Sequence, residues 1–164
     1  LPMLAILMTI YPPSATSGKA ESMNPADKKM TIYLSGPIMD EHDGAAREWR
    51  AAAKAMLGGR FRMLDPMRRK FIDRQVDSAN EIVEFDLQDV RDADIVLVNY
   101  NKPSIGTSME IFYAAHDLGK FVISFSPFTF ENCSPWIVRF STKILPSLED
   151  ACRYIDTNFG STSE

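Results

Sequence analysis

Asn99-Tyr-Asn-Lys-Pro-Ser-Ile-Gly-Thr-Ser-Met-Glu110 is the stretch on which the reading of this chain turns. Asp94-Ile-Val-Leu-Val-Asn99 leads into it, a short β-branched run of the kind that forms a fully buried strand over 94–99. Met109 to Leu118 leads out of it, apolar and long enough for a helix over 107–118 that Gly119 and Lys120 end. In an open α/β sheet the ligand lies outside the carboxyl ends of the strands, where the loop between these two elements falls. Gly106 lets the backbone come close to a ligand, and the first N–H groups of the helix point at whatever sits there. Glu110 falls in about the first turn, where the positive helix end favours its ionised form. An ionised carboxylate at a crevice is a candidate nucleophile. The plainer reading is an acid that only complements the helix dipole.

Outward from this stretch the pattern repeats. Thr31-Ile-Tyr-Leu-Ser35 is a first strand running into the tight turn Gly36-Pro37. Ala45, Trp49, Ala52, Ala53 and Met56 mark a helix over 44–57, stopped by Gly58-Gly59. Residues 61–64 form a second strand closed by Asp65-Pro66, and 67–77 a charged loop. The basic cluster Arg68-Arg69-Lys70 in that loop reads as a solvated face, or as a meeting point for an anionic ligand. Ser78 and Glu81 have the spacing of a capping box for a helix to about Arg91. Its apolar stripe is Ile82, Val83, Leu87 and Val90, and Asp86 falls inside it. A carboxylate on a buried face is costly unless it is paired or faces a polar cavity. Asp86 is therefore the second candidate residue, the alternative being a structural acid bonded to backbone N–H groups. Asp89 and Asp92 sit off the stripe or at the turn and ask for no such explanation.

Downstream, 121–125 is a fourth strand, 136–140 a short helical piece and 142–145 a weak last strand. Ser147 caps a closing helix with Leu148, Cys152 and Ile155 facing inward. Strands alternating with helices imply an α/β fold, a parallel sheet with helices on both faces. Residues 30–160 form one domain. Residues 1–29, with the apolar run Leu4 to Tyr11 and the linker Pro12 to Gly18, read as a leader or appended segment, poorly ordered.

Composition narrows the partners. The net charge is −4, which argues against a nucleic-acid polymer, since phosphate backbones select basic surfaces. A small nucleoside or nucleotide remains compatible with it. The apolar run near the start is too short to span a bilayer, so no membrane partner is expected. Cys133 and Cys152 make neither a disulfide framework nor a zinc site and read as packing residues in a reducing compartment, here the cytoplasm. His42 and His116 are too few for a His-rich metal site, and His116 is expected partly buried on its apolar helix. Neither a metal nor a cofactor is called for.

Tyr33-Leu-Ser-Gly-Pro37, Phe85-Asp86-Leu87 before Ala93-Asp94-Ile95-Val96, Pro103 to Glu110 and Gly119-Lys120, in that order and spacing, resemble the nucleoside 2-deoxyribosyltransferase family. The resemblance covers about residues 30–158. It implies a flavodoxin-like five-stranded parallel sheet. It also implies either transfer of 2-deoxyribose between bases or hydrolysis of nucleoside 5′-monophosphates to base and sugar phosphate. Carried over by motif, Glu110 is the nucleophile, Asp86 the acid beside the leaving base, and Tyr33 the support of the nucleophile. Ser35, Gly36, Pro37, Ser104, Gly106, Thr107 and Ser108 fall at substrate-binding positions. The family completes its sites across a dimer interface, which points to a homodimer or higher homo-oligomer and to Asn132 and Ser134 as the residues lent to the neighbour. Ser104 stands where transferases carry Asp and matches the hydrolases' phosphate-contacting Ser. Pro37 and Met39 stand where those hydrolases carry Ser and Arg. The implied partners are a nucleoside or nucleotide and a free nucleobase.

The chemistry fits the residues apart from the name. Glycosidic cleavage through an oxocarbenium-like state uses two carboxylates, one attacking C1′ and one managing the leaving group's proton. A binding module for anionic nucleotides would gain nothing from such a pair.

Overall fold

A computed structural model of the chain describes residues 29–38, 43–69, 78–128 and 132–160. The expected leader, apart from Lys29, lies outside the described residues, as do Met39, His42 and Lys70 to Asp77. Five strands, β1 (Thr31–Ser35), β2 (Arg62–Leu64), β3 (Ile95–Asn99), β4 (Phe121–Phe125) and β5 (Lys143–Leu145), pair in parallel in the order β2-β1-β3-β4-β5. This is the doubly wound flavodoxin-like order, with its switch point between β1 and β3. Helices α1 (Asp43–Leu57), α2 (Ala79–Asp92), α3 (Ile105–Phe112), α4 (Pro135–Phe140) and α5 (Leu148–Phe159) cover it.

Strand alternation divides the core. Ile32 and Leu34 of β1, with Ile95 and Leu97 of β3, face α1 and α5 and pack with Leu57, Ala151 and Ile155. Tyr33 points the other way, into a cluster with Val90 of α2, Ile111 of α3 and Ile137 of α4. Both cysteines are buried and free, and burial pushes the Cys152 thiol up to about 12, as expected of packing residues. Among the described residues no helix is long and apolar enough to cross a membrane.

Several local expectations are corrected. The third helix begins at Ile105, two residues early, because Ser104 is extended (φ −143°, ψ 131°) and its Oγ accepts from Thr107 N. From Tyr113 to Asp117 it widens into a π-helical turn before Gly119, whose φ of 61° suits glycine. The capping box at Ser78 does not form. Its backbone (φ −111°, ψ 19°) is not extended, and the side chain makes no cap bond. His116 is exposed, stacked on Phe112 and bonded to Asp117, since the π turn rotates it off the core face. Asp65, expected only to close β2, also caps a single 3-10 turn, Pro66–Arg68, by accepting from Met67 N.

One buried cation shapes the turn after β1. Arg50 of α1 is fully buried and stacks over Trp49 at 4.5 Å. It donates to Gly36 O at 2.8 Å, Ala46 O at 2.7 Å and Leu34 O at 3.4 Å, with Asp65 at 3.7 Å. Burial lowers its pKa, but an arginine keeps its charge. Arg50→Met would take the buried donor from Gly36 O, and an unsatisfied buried acceptor costs about 1–3 kcal/mol. A loss of about 3 kcal/mol in urea unfolding is the expected result. A loss under about 0.5 kcal/mol would mean that this carbonyl finds another donor.

Candidate active site

A cleft of about 730 Å³ opens at the carboxyl ends of β1, β2 and β3. Gly36, Pro37 and Ile38 form one wall, the turn after β2 and the start of α2 a second, and residues 102–107 with Glu110 a third. Asp86 and Glu110 both line it.

Glu110 is the sixth residue of α3, one and a half turns in, so the helix end does not hold it ionised as expected. Its environment comes from β1. Tyr33 and Ser35, two apart, share a face of the strand. Tyr33 Oη donates to Glu110 Oε1 at 2.9 Å, and Ser35 Oγ to Oε2 at 2.5 Å. Burial pushes the Glu110 carboxyl up to about 7, helped by the Asp86 charge, while the Ser35 and Tyr33 bonds pull the other way. Burial, with the charges of Glu110 and Asp86, raises Tyr33 well above its ordinary range, so it stays a neutral donor. Each carboxylate oxygen of Glu110 is thus oriented by one hydroxyl, which fixes the direction of the carboxyl at the cleft.

Asp86 sits on the cleft wall among Ile82, Val83, Pro66 and Met67. Burial pushes its carboxyl up to about 6, with Arg69 as the main opposing influence. Val83, assigned to the core stripe, is instead 53% exposed on the cleft side.

Asp89 departs most from expectation. It is 4% exposed and bonded to Arg68 at 2.6 Å and Arg69 at 2.7 Å. Arg69 also bonds Asp86 at 3.2 Å and lines the cleft. Two of the three basic residues read as a solvated face are therefore tied to α2, and Lys70 lies outside the described residues. Sequence reasoning missed this triad because the turn at Pro66–Arg68, which folds the arginines back onto α2, has no periodic signature.

The remaining expected residues divide. Gly36, Pro37, Ser104, Gly106 and Thr107 line the cleft. Gly106 lies in the first turn of α3, not in a loop, and no atom of the protein lies within 4 Å of where a Cβ would stand. Ser35 reaches Glu110, as described. Ser108 turns away, its Oγ donating to Ser104 O at 2.8 Å. With Ser134, Trp136 and Phe140 it lines a separate groove of about 300 Å³. Asn132 is exposed and lines neither. Among the described residues no group of His, Cys, Asp and Glu is arranged to hold a metal ion.

Comparison with known proteins follows the same line. The chain is similar to 2-deoxyribosyltransferase from the psychrotolerant bacterium Bacillus psychrosaccharolyticus, at 22% identity and a TM-score of 0.60 over 76% of this chain and 91% of that one. It is similar to a conserved protein from Enterococcus faecalis V583, at 15% identity and a TM-score of 0.66 over 80% and 100% of the two chains. It is also similar to the CMP N-glycosidase BcmB of Clostridium botulinum, at 16% identity and a TM-score of 0.53 over 77% and 98%. At these identities the likeness speaks for the fold alone. No curated protein sequence matches the chain. The sequence model of nucleoside 2-deoxyribosyltransferase matches residues 32–134, from β1 through the cleft to the edge of α4, and the chain belongs to that family.

Proposed function

We propose that this protein cleaves the N-glycosidic bond of (deoxy)nucleosides or their 5′-monophosphates through a glycosyl ester on Glu110 and passes the 2-deoxyribosyl group to another base. The observation that carries this reading is the convergence of Tyr33 and Ser35 on the two oxygens of Glu110, with Asp86 on the same cleft. The Glu110 carboxylate attacks C1′, and the C1′–N bond breaks with its electrons going to the base. Asp86 gives that nitrogen its proton. An acceptor base then gives its proton to Asp86 and attacks C1′, releasing Glu110 as carboxylate. Water in place of the second base gives hydrolysis. Incubation with a deoxynucleoside, and separately with its 5′-monophosphate, each with and without a second free base, tests the reading by chromatography of products. A new nucleoside formed only with added base supports transfer. Free base and sugar without an acceptor supports hydrolysis. No product in any arm removes the enzymatic reading.

The hydrolytic alternative is favoured by Ser104. Its Oγ accepts from Thr107 N, which leaves its O–H for a ligand, and it brings no charge to repel a phosphate. Asp caps helices as well as Ser, so Ser104→Asp keeps α3 while adding a charge at the cleft. Monophosphate turnover is expected to fall at least about tenfold and nucleoside turnover to hold or rise. Equal losses would mean that phosphate does not sit there.

The site also depends on a second copy of the chain. Ser134 and Asn132, which lie off the cleft of their own chain, are the residues lent to a neighbour. An exposed apolar face supports this: Ile105 is 84% exposed, Met109 and Trp136 66%, and Phe112 joins Phe140 at 5.1 Å. Trp136→Glu is expected to convert a dimer to monomer by light scattering and to lower turnover with it. A monomeric wild-type protein with full turnover would contradict this.

A further inference from the structure

Besides the Glu110 bonds, the cleft holds a built network at Asp86, the carboxyl read as facing the leaving base. Asp89 of α2 gives each of its oxygens to one arginine, Oδ1 to Arg68 Nη2 at 2.6 Å and Oδ2 to Arg69 Nη2 at 2.7 Å. Arg69 lies over the Phe85 ring at 4.7 Å and also reaches Phe85 O at 3.4 Å. Its other terminal nitrogen, Nη1, meets Asp86 Oδ1 at 3.2 Å. The guanidinium is thus fixed on three sides before it touches Asp86, and a planar fork held this way loses little freedom on making the last bond. We infer that Arg69, clamped by Asp89, is the positioning residue of Asp86, fixing the direction of that carboxyl in the cleft and the charge it carries. The inference rests on the reading of Asp86 as the acid beside the leaving base.

Asp86 is faced by Arg68 and Arg69 from the turn after β2, Asp89 from its own helix, Arg50 from α1, Tyr33 from β1 and Glu110 from α3. Burial pushes its proton affinity up, Arg69 is the strongest influence pulling it down, and Asp89 pushes it up again. The two members of the clamp therefore act on Asp86 with opposite sign. Removing Arg69 strengthens the proton's hold on Asp86. Removing the Asp89 charge weakens that hold, both directly and by leaving Arg69 to Asp86.

The test is a carboxyl-carbon NMR titration of Asp86 in the full chain without substrate, beside pH–rate profiles. Arg69→Met is expected to raise the Asp86 midpoint by about one unit, and Asp89→Asn to lower it. Arg69→Lys keeps the charge and loses the fork, so it restores most of the midpoint but leaves turnover of natural bases reduced. That arm does not depend on the buried Asp89, so a misfolded Asp89→Asn protein leaves the inference testable. In the rate profiles the limb set by Asp86 should move with the NMR midpoint for natural bases and vanish for bases that leave without a proton. An Asp86 midpoint that is the same in wild type, Arg69→Met and Arg69→Lys overturns the inference. Because the titration needs no substrate, absent turnover would count against the proposed reaction and leave the clamp standing.

Discussion

Glu110→Gln is expected to abolish turnover and to make the protein more stable above neutral pH. Gln keeps the shape of the side chain and can accept from Tyr33 and pair with Ser35, but it forms no glycosyl ester. A loss on the order of a thousandfold or more is expected for removal of a nucleophile. The stability gain follows from the carboxyl's environment. Burial lifts its pKa from an ordinary 4.5 to about 7, so the native state holds a proton that the unfolded chain releases between those values. The unfolded state then binds fewer protons, and stability falls as pH rises from about 4.5 through about 7. Asp86, lifted from 3.8 to about 6, adds a loss of the same sign at slightly lower pH. At pH 8 the Gln variant should therefore exceed wild type by about 3 kcal/mol, and at pH 4 the two should converge. Turnover within tenfold of wild type in a folded Gln variant would exclude the covalent route. A pH-independent difference in melting would mean that the carboxyl is not held protonated by burial.

Asp86→Asn should divide substrates by their leaving groups. With natural bases the loss is expected to be on the order of a hundredfold or more, the usual contribution of a positioned acid. With bases activated to leave unprotonated it should be several-fold at most. The wild-type profile with natural bases requires ionised Glu110 beside protonated Asp86. Since Glu110 lies near 7 and Asp86 near 6, this is the less populated of the two singly protonated forms. The result is a bell with its maximum between about 6 and about 7. With an activated leaving group the alkaline limb should disappear, leaving one rise as Glu110 ionises. In Asp86→Asn that rise should shift below its wild-type position, because the Asp86 charge is one of the influences that raise Glu110. Equal losses for both substrate kinds, with an unchanged bell, would make Asp86 a structural acid.

The parallel sheet was legible because its central strands, buried on both faces, read as apolar runs between helices, whereas the flavodoxin-like arrangement came with the family resemblance. Asp86 was legible for the opposite reason, an acid where the helix stripe called for an apolar residue. A helix beginning at 107 puts Glu110 at the helix end, away from its actual surroundings. Pro103-Ser104 already marks the boundary, since a proline biases the residue before it away from helix and Ser104 offers a capping hydroxyl from an extended backbone. With Ile105 as the first helical residue, Glu110 moves inward from the helix end to the hydroxyls of β1. Ser35 was available from alternation with Tyr33, since residues two apart on a strand face the same way. Asp89 and Arg69 were not available in this manner. Their pairing depends on the path of a short turn between β2 and α2, although Asp89, seven residues after Ile82 and three after Asp86, lies on the same helix face as both.

The central claim is a covalent bond between Glu110 and the sugar. Mixing the protein with a deoxynucleoside in the absence of any acceptor base, quenching in acid and mapping peptides by mass spectrometry tests it directly. The expected result is a mass increase of one deoxyribosyl group on the peptide carrying Glu110, absent from Glu110→Gln and discharged when a free base is added before the quench. Steady product formation with no adduct on that peptide at any time, or an adduct on another residue, would contradict it.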